Sequence, residues 1–195
     1  MKEKQASRRL IVIGASAGGP AIILSLIREL PESTPGIIIV QHLCKGFAVR
    51  MADYLDTRCA MNVKVARNGE MVMDGTVYLA EGDRHLKVAK RGQAYFMTYA
   101  DGSKINGVRP AVDVLFSSAA CAGADAMGII LTGFGKDGAQ GLLEMRRAGA
   151  HTIVQKAESC ASSSMPAEAK KKGGAEMELA PKEITACMML FSKTT

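Results

Sequence analysis

Tryptophan is absent from this sequence, and aromatic residues make up only 5% of it. So few rings offer little for unpaired bases to stack on, which argues against a single-stranded nucleic-acid platform. The core has to come from Ile, Leu, Val, Ala and Met, and Met alone supplies 12 residues. No C-x-x-C pair occurs. The cysteines number five (Cys44, Cys59, Cys121, Cys160 and Cys187), an odd count that fits free thiols in a reducing compartment. The polar start carries no secretory signal, so the expected location is the cytoplasm. No apolar run approaches the length of a membrane span, and no membrane insertion is expected.

Acidic residues are in the minority. Nineteen Asp and Glu stand against 25 Lys and Arg, a net charge of +6. The excess is partly local, with Lys2, Lys4, Arg8 and Arg9 at one end and Lys170, Lys171 and Lys172 in a run. Such clusters usually form solvated surface. The functional alternative is attraction to an acidic protein rather than to nucleic acid.

With 195 residues, 48% of them hydrophobic and 23% charged, the composition is that of an ordinary globular domain. Residues 1–8 read as a polar, loose end, and 9–192 as one domain. The runs at 10–13, 36–40 and 62–66 read as strands, separated by helical spacing over 21–30 and 47–58. Between about Gly69 and Asp101 the rhythm changes. Thr76–Leu79, His85–Val88 and Ala94–Met97 read as short strands of an antiparallel excursion built on hairpins. From Pro110 the α/β alternation returns, with strands at 126–131, 151–155 and 176–179. The predicted fold is α/β: a doubly wound, mostly parallel sheet with helices on both faces and an antiparallel hairpin excursion.

In open α/β sheets chemistry sits beyond the carboxyl ends of the strands. Gly14-Ala-Ser16-Ala-Gly18-Gly19 follows the first strand, Gln41-His42 the second, and Thr132-Gly-Phe134-Gly-Lys-Asp137-Gly138 the strand at 126–131. An alcohol, an imidazole and a carboxylate therefore fall at three strand ends. A serine becomes a nucleophile when an imidazole takes its proton, and the imidazole needs a carboxylate to fix its tautomer. This assigns Ser16 as nucleophile, His42 as base and acid, and Asp137 as orienter. Residues 14–18 also match G-x-S-x-G, with glycines leaving room for a sharp bend. Separately, Ser16 and Asp137 could cap helices, and His42 could be a loop histidine satisfied by backbone. His85 reads as structural or surface, and His151 lies at the wrong edge of the sheet. A dinucleotide site is excluded, because Ser16 stands where the second glycine of G-x-G-x-x-G belongs and no acid follows the second strand. The order Ser16, His42, Asp137 also differs from the Ser, acid, His order of the ordinary α/β-hydrolases.

Five blocks, Gly14-Ala-Ser-Ala-Gly-Gly-Pro20, Val40-Gln-His-Leu43, Ala80-Glu-Gly-Asp-Arg-His-Leu86, Arg109-Pro-Ala-Val-Asp-Val-Leu-Phe116 and Ile130-Leu-Thr-Gly-Phe-Gly-Lys-Asp-Gly138, occur in that order. Together they resemble the catalytic domain of the CheB-type chemotaxis receptor methylesterases over residues 8–190. The resemblance implies hydrolysis of glutamate γ-methyl esters on chemoreceptor cytoplasmic helices, with glutamine deamidation as a related activity. It implies the triad Ser16, His42 and Asp137, and no metal or organic cofactor. A separate response-regulator domain is an implied partner, since no receiver domain is expected within this chain. The mechanism it suggests draws oxyanion donors from the backbone near Ala17, Gly18 and Phe134. Arg109 would contact an acidic receptor helix or pair with Asp113. The sequence departs from the family pattern at Ala17 (usually Thr), Cys44 (often Pro), Val108 (typically His), Phe134 (usually Met) and Ser164 (Gly in Gly-Met-Pro). The competing reading is a non-catalytic binding module of the same fold that grips a helical partner.

Overall fold

The structure is a computed structural model and describes residues 5–193. The first half runs β1 (Leu10–Ala15), α1 (Gly19–Ile27), β2 (Ile37–Gln41), α2 (Phe47–Asp56), β3 (Asn62–Val65) and β4 (Thr76–Leu79). A hairpin follows, β5 (His85–Arg91) and β6 (Ala94–Ala100). The second half runs α3 (Val112–Ala119), β7 (Ala126–Ile130), α4 (Ala139–Arg147), β8 (His151–Gln155), α5 (Ser164–Lys171), β9 (Met177–Leu179) and α6 (Pro181–Lys193).

Seven strands form one parallel sheet in the order β3-β4-β2-β1-β7-β8-β9. The central strands are apolar on both faces, because the two-residue period sends alternate side chains to opposite layers. Val12, Ile38, Val40 and Tyr78 pack with α3, α4, α5 and the hairpin. Ile11, Ile13, Ile37, Ile39 and Leu79 pack with α1, α2 and α6. The predicted doubly wound sheet with helices on both faces is therefore the observed one.

Two expectations need correction. Thr76–Leu79 is not part of the antiparallel excursion. It is a buried strand in the main sheet, pairing in parallel with β2 (Ile37↔Val77) and with β3 (Val63↔Val77). Its four residues are buried throughout, which suits a strand between two others rather than a solvent-facing hairpin arm. Among the named strands, β5 and β6 are the antiparallel pair.

The second correction concerns the start of the chain. Lys2 and Lys4 lie outside the described residues, but residues 5–8 are tied down rather than loose. The fully buried Ser7 donates its N–H to the Val72 carbonyl (2.9 Å) and its hydroxyl to Asp74 Oδ1 (2.5 Å). It accepts the Gly36 N–H at 2.8 Å. The basic clusters are also partly engaged: the Arg9 guanidinium lies 3.7 Å from the Phe191 ring centroid, and Lys170 pairs with Glu178.

The strand order reverses at β1, with β2 on one side and β7 on the other. The carboxyl ends of β1, β2 and β7 thus meet at the switch point of the sheet, where open α/β sheets place their ligands.

Ser7→Ala leaves the Gly36 N–H and one Asp74 oxygen without their partner in a buried place. The expected loss is about 2 kcal/mol of unfolding free energy, read from urea denaturation. An unchanged midpoint would contradict the docked start of the chain.

Candidate active site

Two glycines decide where the site is built. A Cβ on Gly14, in β1, would lie 2.2 Å from Val112 Cγ1, and one on Gly138 would lie 2.6 Å from the same atom. The Val112 side chain fills the notch that these glycines leave, which seats the first turn of α3 against β1 and against the turn before α4. Gly14 therefore serves packing, not the bend. The bend residue is Gly18, which has φ +78° and heads α1.

The seated helix presents its N-terminal amides to Asp137. This carboxylate is only 2% exposed and receives four donors. Oδ2 accepts from His42 Nε2 (2.8 Å) and the Val112 N–H (2.7 Å). Oδ1 accepts from the Asp113 N–H (3.2 Å) and Asn106 Nδ2 (3.1 Å). Burial is the largest single influence on its pKa and acts upward. The bonds from His42, Val112, Asp113 and Asn106 together outweigh it and hold the carboxyl below the ordinary 3.8. A helix start is a natural place for an anion, so Asp137 does cap a helix, but it caps α3 rather than its own α4.

An ionised carboxylate only accepts, so His42 Nε2 carries the proton and Nδ1 is left as the acceptor. The His42 side chain is 14% exposed. Its backbone is pinned by the N–H bond to the Ala15 carbonyl (3.0 Å). Gln41 Nε2 donates to the carbonyls of both Ser16 (2.9 Å) and His42 (3.2 Å), clamping the two strand ends together. Ser16 donates its N–H to the Thr132 carbonyl (3.0 Å). A Cβ on Gly133 would fall 2.7 Å from the Ser16 Cβ, so the turn after β7 presses directly on this serine.

The structure brings His42 and Asp137 into a hydrogen bond and sets Ser16 at the same edge, on the neighbouring strand end. It does not join Ser16 to His42: among the described residues the Ser16 hydroxyl makes no hydrogen bond. Nor does Ser16 cap α1, whose N-cap is Gly18 without a side-chain bond. The backbone N–H groups of Ala17, Gly18 and Phe134 have no acceptor among the described residues. The Phe134 side chain is 68% exposed. Among the described residues, no three His, Cys, Asp or Glu side chains converge as a metal-ligand set.

Residues 11–188 match the CheB methylesterase family. The chain belongs to the CheB methylesterase family. The crystal structure of the Thermotoga maritima CheB methylesterase catalytic domain is similar, with a TM-score of 0.90 and 35% identity over 93% of this chain and 97% of that one. A protein-glutamate methylesterase/protein-glutamine glutaminase of Chromohalobacter salexigens is 46% identical over 94% of this chain and 52% of its own length. The protein of the same description from Yersinia pestis is 48% identical over 86% of this chain and 48% of its own length. The chain thus spans about half the length of the curated relatives it matches.

Within this CheB fold, other sequence-based expectations divide. Arg109 does not pair with Asp113. Its Nη2 and Nε bond Asp83 Oδ1 at 2.6 and 3.2 Å, and Nη1 bonds the Gly102 carbonyl. The Arg109 guanidinium beside Asp83 holds that carboxyl below its ordinary value. Asp113 faces the other way, accepting the Gly141 N–H (2.8 Å) and the Asn106 amide (2.7 Å). His85 is buried. It donates from Nε2 to the Ser103 carbonyl (3.0 Å) and accepts the Ala111 N–H on Nδ1 (3.2 Å), so it braces the residue just before α3.

Asn106, the Val112 and Asp113 amides, and the Gln41 clamp were not singled out from sequence. Asn106 had one legible signal, the Asn-Gly pair. Residues 106 and 107 have φ of +53° and +80°, and Ile105 and Val108 exchange both N–H bonds across them, the tight hairpin turn that Asn-Gly favours.

A carboxyl whose folded pKa lies below its unfolded one stabilises the fold above the unfolded value and loses that contribution as pH falls through the folded one. Asp137→Asn is therefore expected to lower unfolding free energy at pH 7 by about 1–3 kcal/mol. The gap from the parent protein should close as pH drops below the ordinary 3.8. Denaturant melts from pH 7 to pH 3 measure it, and a gap independent of pH would contradict the depressed carboxyl.

Proposed function

We propose that this chain is the catalytic part of a protein-glutamate methylesterase working through Ser16, His42 and Asp137. The observation that carries the reading is the 2.8 Å bond from His42 Nε2 to a buried Asp137, which leaves Nδ1 as a free base at the edge holding Ser16. The names of the relatives, protein-glutamate methylesterase/protein-glutamine glutaminase, support the ester and amide chemistry.

In this reading Ser16 turns its hydroxyl toward His42 Nδ1 by rotation about its Cα–Cβ bond. Its oxygen attacks the γ-ester carbonyl of a methylated glutamate as Nδ1 takes the proton. Asp137 steadies the imidazolium. The free amides of Ala17, Gly18 and Phe134 hold the oxyanion, each such donor contributing roughly 3–4 kcal/mol. The proton passes from His42 to the departing methoxide, and methanol leaves. Water then attacks the acyl-serine with His42 as base, the proton returns to Ser16, and glutamate is freed. The same route with ammonia as leaving group deamidates glutamine.

The substrate is the cytoplasmic helices of methylated chemoreceptors, and a response-regulator domain is the regulatory partner. These assignments also place the work in the cytoplasm. No described helix is long and apolar enough to cross a membrane. Arg109 belongs to the rim that meets the acidic helix. Lys45 and Lys104 lie close enough to Asp83 to lower its pKa along with Arg109, so three cations surround one carboxylate there.

Ser16→Ala is expected to cut methanol release from methylated receptor membranes by about 10³-fold or more, with an unchanged melting temperature. A fluorophosphonate should label the parent protein stoichiometrically at Ser16. The unmade Ser16–His42 bond favours the binding-module alternative. No labelling and no methanol release would leave that reading standing.

A further inference from the structure

The mechanism uses Asp137 but not the second carboxylate beside it. Asp113 begins α3, and Asp137 precedes α4. Each sits on the other helix's first amides: Asp137 on the Val112 and Asp113 N–H groups, Asp113 on the Gly141 N–H. The two helix starts thus exchange carboxylates, and the exposed Asn106 bridges the two acids. Its single Nδ2 donates to Asp113 Oδ2 at 2.7 Å and to Asp137 Oδ1 at 3.1 Å. The amide arrives there because the Asn106-Gly107 turn holds Asn106 at a positive φ.

We propose that Asn106 is a positioning residue of the catalytic centre: its amide, bridging Asp113 and Asp137, keeps the Asp137 carboxylate turned toward His42 and separates two negative charges that would otherwise repel. Asp113 is the second half of this device, setting how much negative charge the His42–Asp137 pair feels. The inference rests on the reading of Asp137 as the triad carboxylate.

The physical case has three parts. First, Asp137 Oδ1 has two donors, Asn106 and the Asp113 amide; losing one leaves a buried carboxylate oxygen poorly satisfied, which frees the group to rotate. Second, the two acids titrate in opposite directions. Burial chiefly, and then the nearby Asp137 charge, push Asp113 up, while Asp137 is held down. Third, the Asn106 amide is neutral, so it adds a donor to Asp137 without adding a charge. The groups facing Asp137 are His42 from the end of β2, Asn106 from its turn, and Val112 and Asp113 from α3. Lys136 adjoins it in the chain but is exposed, and Arg109 is held on Asp83.

Asn106→Asp separates positioning from folding, because Asp-Gly suits the same tight turn. It replaces the donor with a third carboxylate. The expected result is a kcat about tenfold lower or more, a KM within about twofold, and an acid limb of kcat/KM moved up by about one pH unit. Both effects of the added charge point upward: it favours the His42 imidazolium and it disfavours Asp137 ionisation. Asp113→Asn removes a charge and should move the same limb down. The His42 ring resonance, assigned with a His42→Gln variant, should titrate higher in Asn106→Asp and lower in Asp113→Asn. That NMR titration needs no turnover. If the parent protein lacks esterase activity, the functional reading fails and the imidazole titration alone decides this proposal. An acid limb and a His42 titration left in place by both substitutions would overturn it, whatever happens to the rate. If Asn106→Asp does not fold, the Asp113→Asn shift stands as the test, downward supporting the proposal and absent refuting it.

Discussion

The arrangement at the switch point depends on one buried charge being kept ionised. Asp137 is nearly sealed from water, and an unpartnered carboxylate there would take up a proton rather than remain charged. A protonated Asp137 would lose its hold on the imidazole tautomer. The fold meets this with a helix start: α3 brings two backbone amides to the carboxylate and adds a donor from the turn ahead of it. Backbone amides are well suited to this, since they cannot be titrated or rotated away. The position of α3 is set in turn by packing, through Val112 in the notch of Gly14 and Gly138. A hydrophobic contact thereby sets an electrostatic one, and the electrostatic one sets the histidine.

The ring orientation follows from the same geometry. In the familiar serine-protease arrangement Nδ1 faces the carboxylate and Nε2 faces the serine. Here Nε2 faces Asp137, and the nitrogen left free is Nδ1, the one nearer the backbone. A strand-end histidine can do this when its serine is on the adjacent strand and its carboxylate is farther off, beyond the next strand. Residues 15 and 41 are register partners, so Ser16 and His42 begin one step apart, while Asp137 comes from the turn after β7 on the far side of β1.

Much of this was legible before the structure. The apolar runs that became β1, β2 and β7 carry Ser16, His42 and Asp137 immediately after them, so the strand-end rule places all three at one edge of the sheet without pairwise distances. What was illegible depended on non-local pairing. Thr76–Leu79 reads like its hairpin neighbours, because nothing local records that β2 and β3 lie on either side of it. Arg109 had two acids within reach, and Asp113, only four residues on, was the nearer in sequence. The turn that carries Asp83, itself at a positive φ, brought the other acid closer. The Asn106 role was hidden for a similar reason: the Asn-Gly pair announces a turn, but not what the turn points at.

The departures from the family pattern bear on this chemistry less than their positions suggest. Ala17 and Phe134 stand where Thr and Met are usual, beside the proposed oxyanion. What the proposed oxyanion role asks of them is a backbone N–H, and Ala and Phe supply it as well as Thr and Met do. Phe134 is 68% exposed, so most of its bulk lies in solvent. Ser164 in place of Gly sits at the start of α5, where the Met165 amide bonds the Gly133 carbonyl and holds the turn against Ser16. Because that bond is also made by backbone, the residue before Met165 can change while the turn stays in place. The side chains that bond at this edge are the Asp137 carboxylate, the His42 imidazole and the amides of Gln41 and Asn106, and none of them stands at one of those departures.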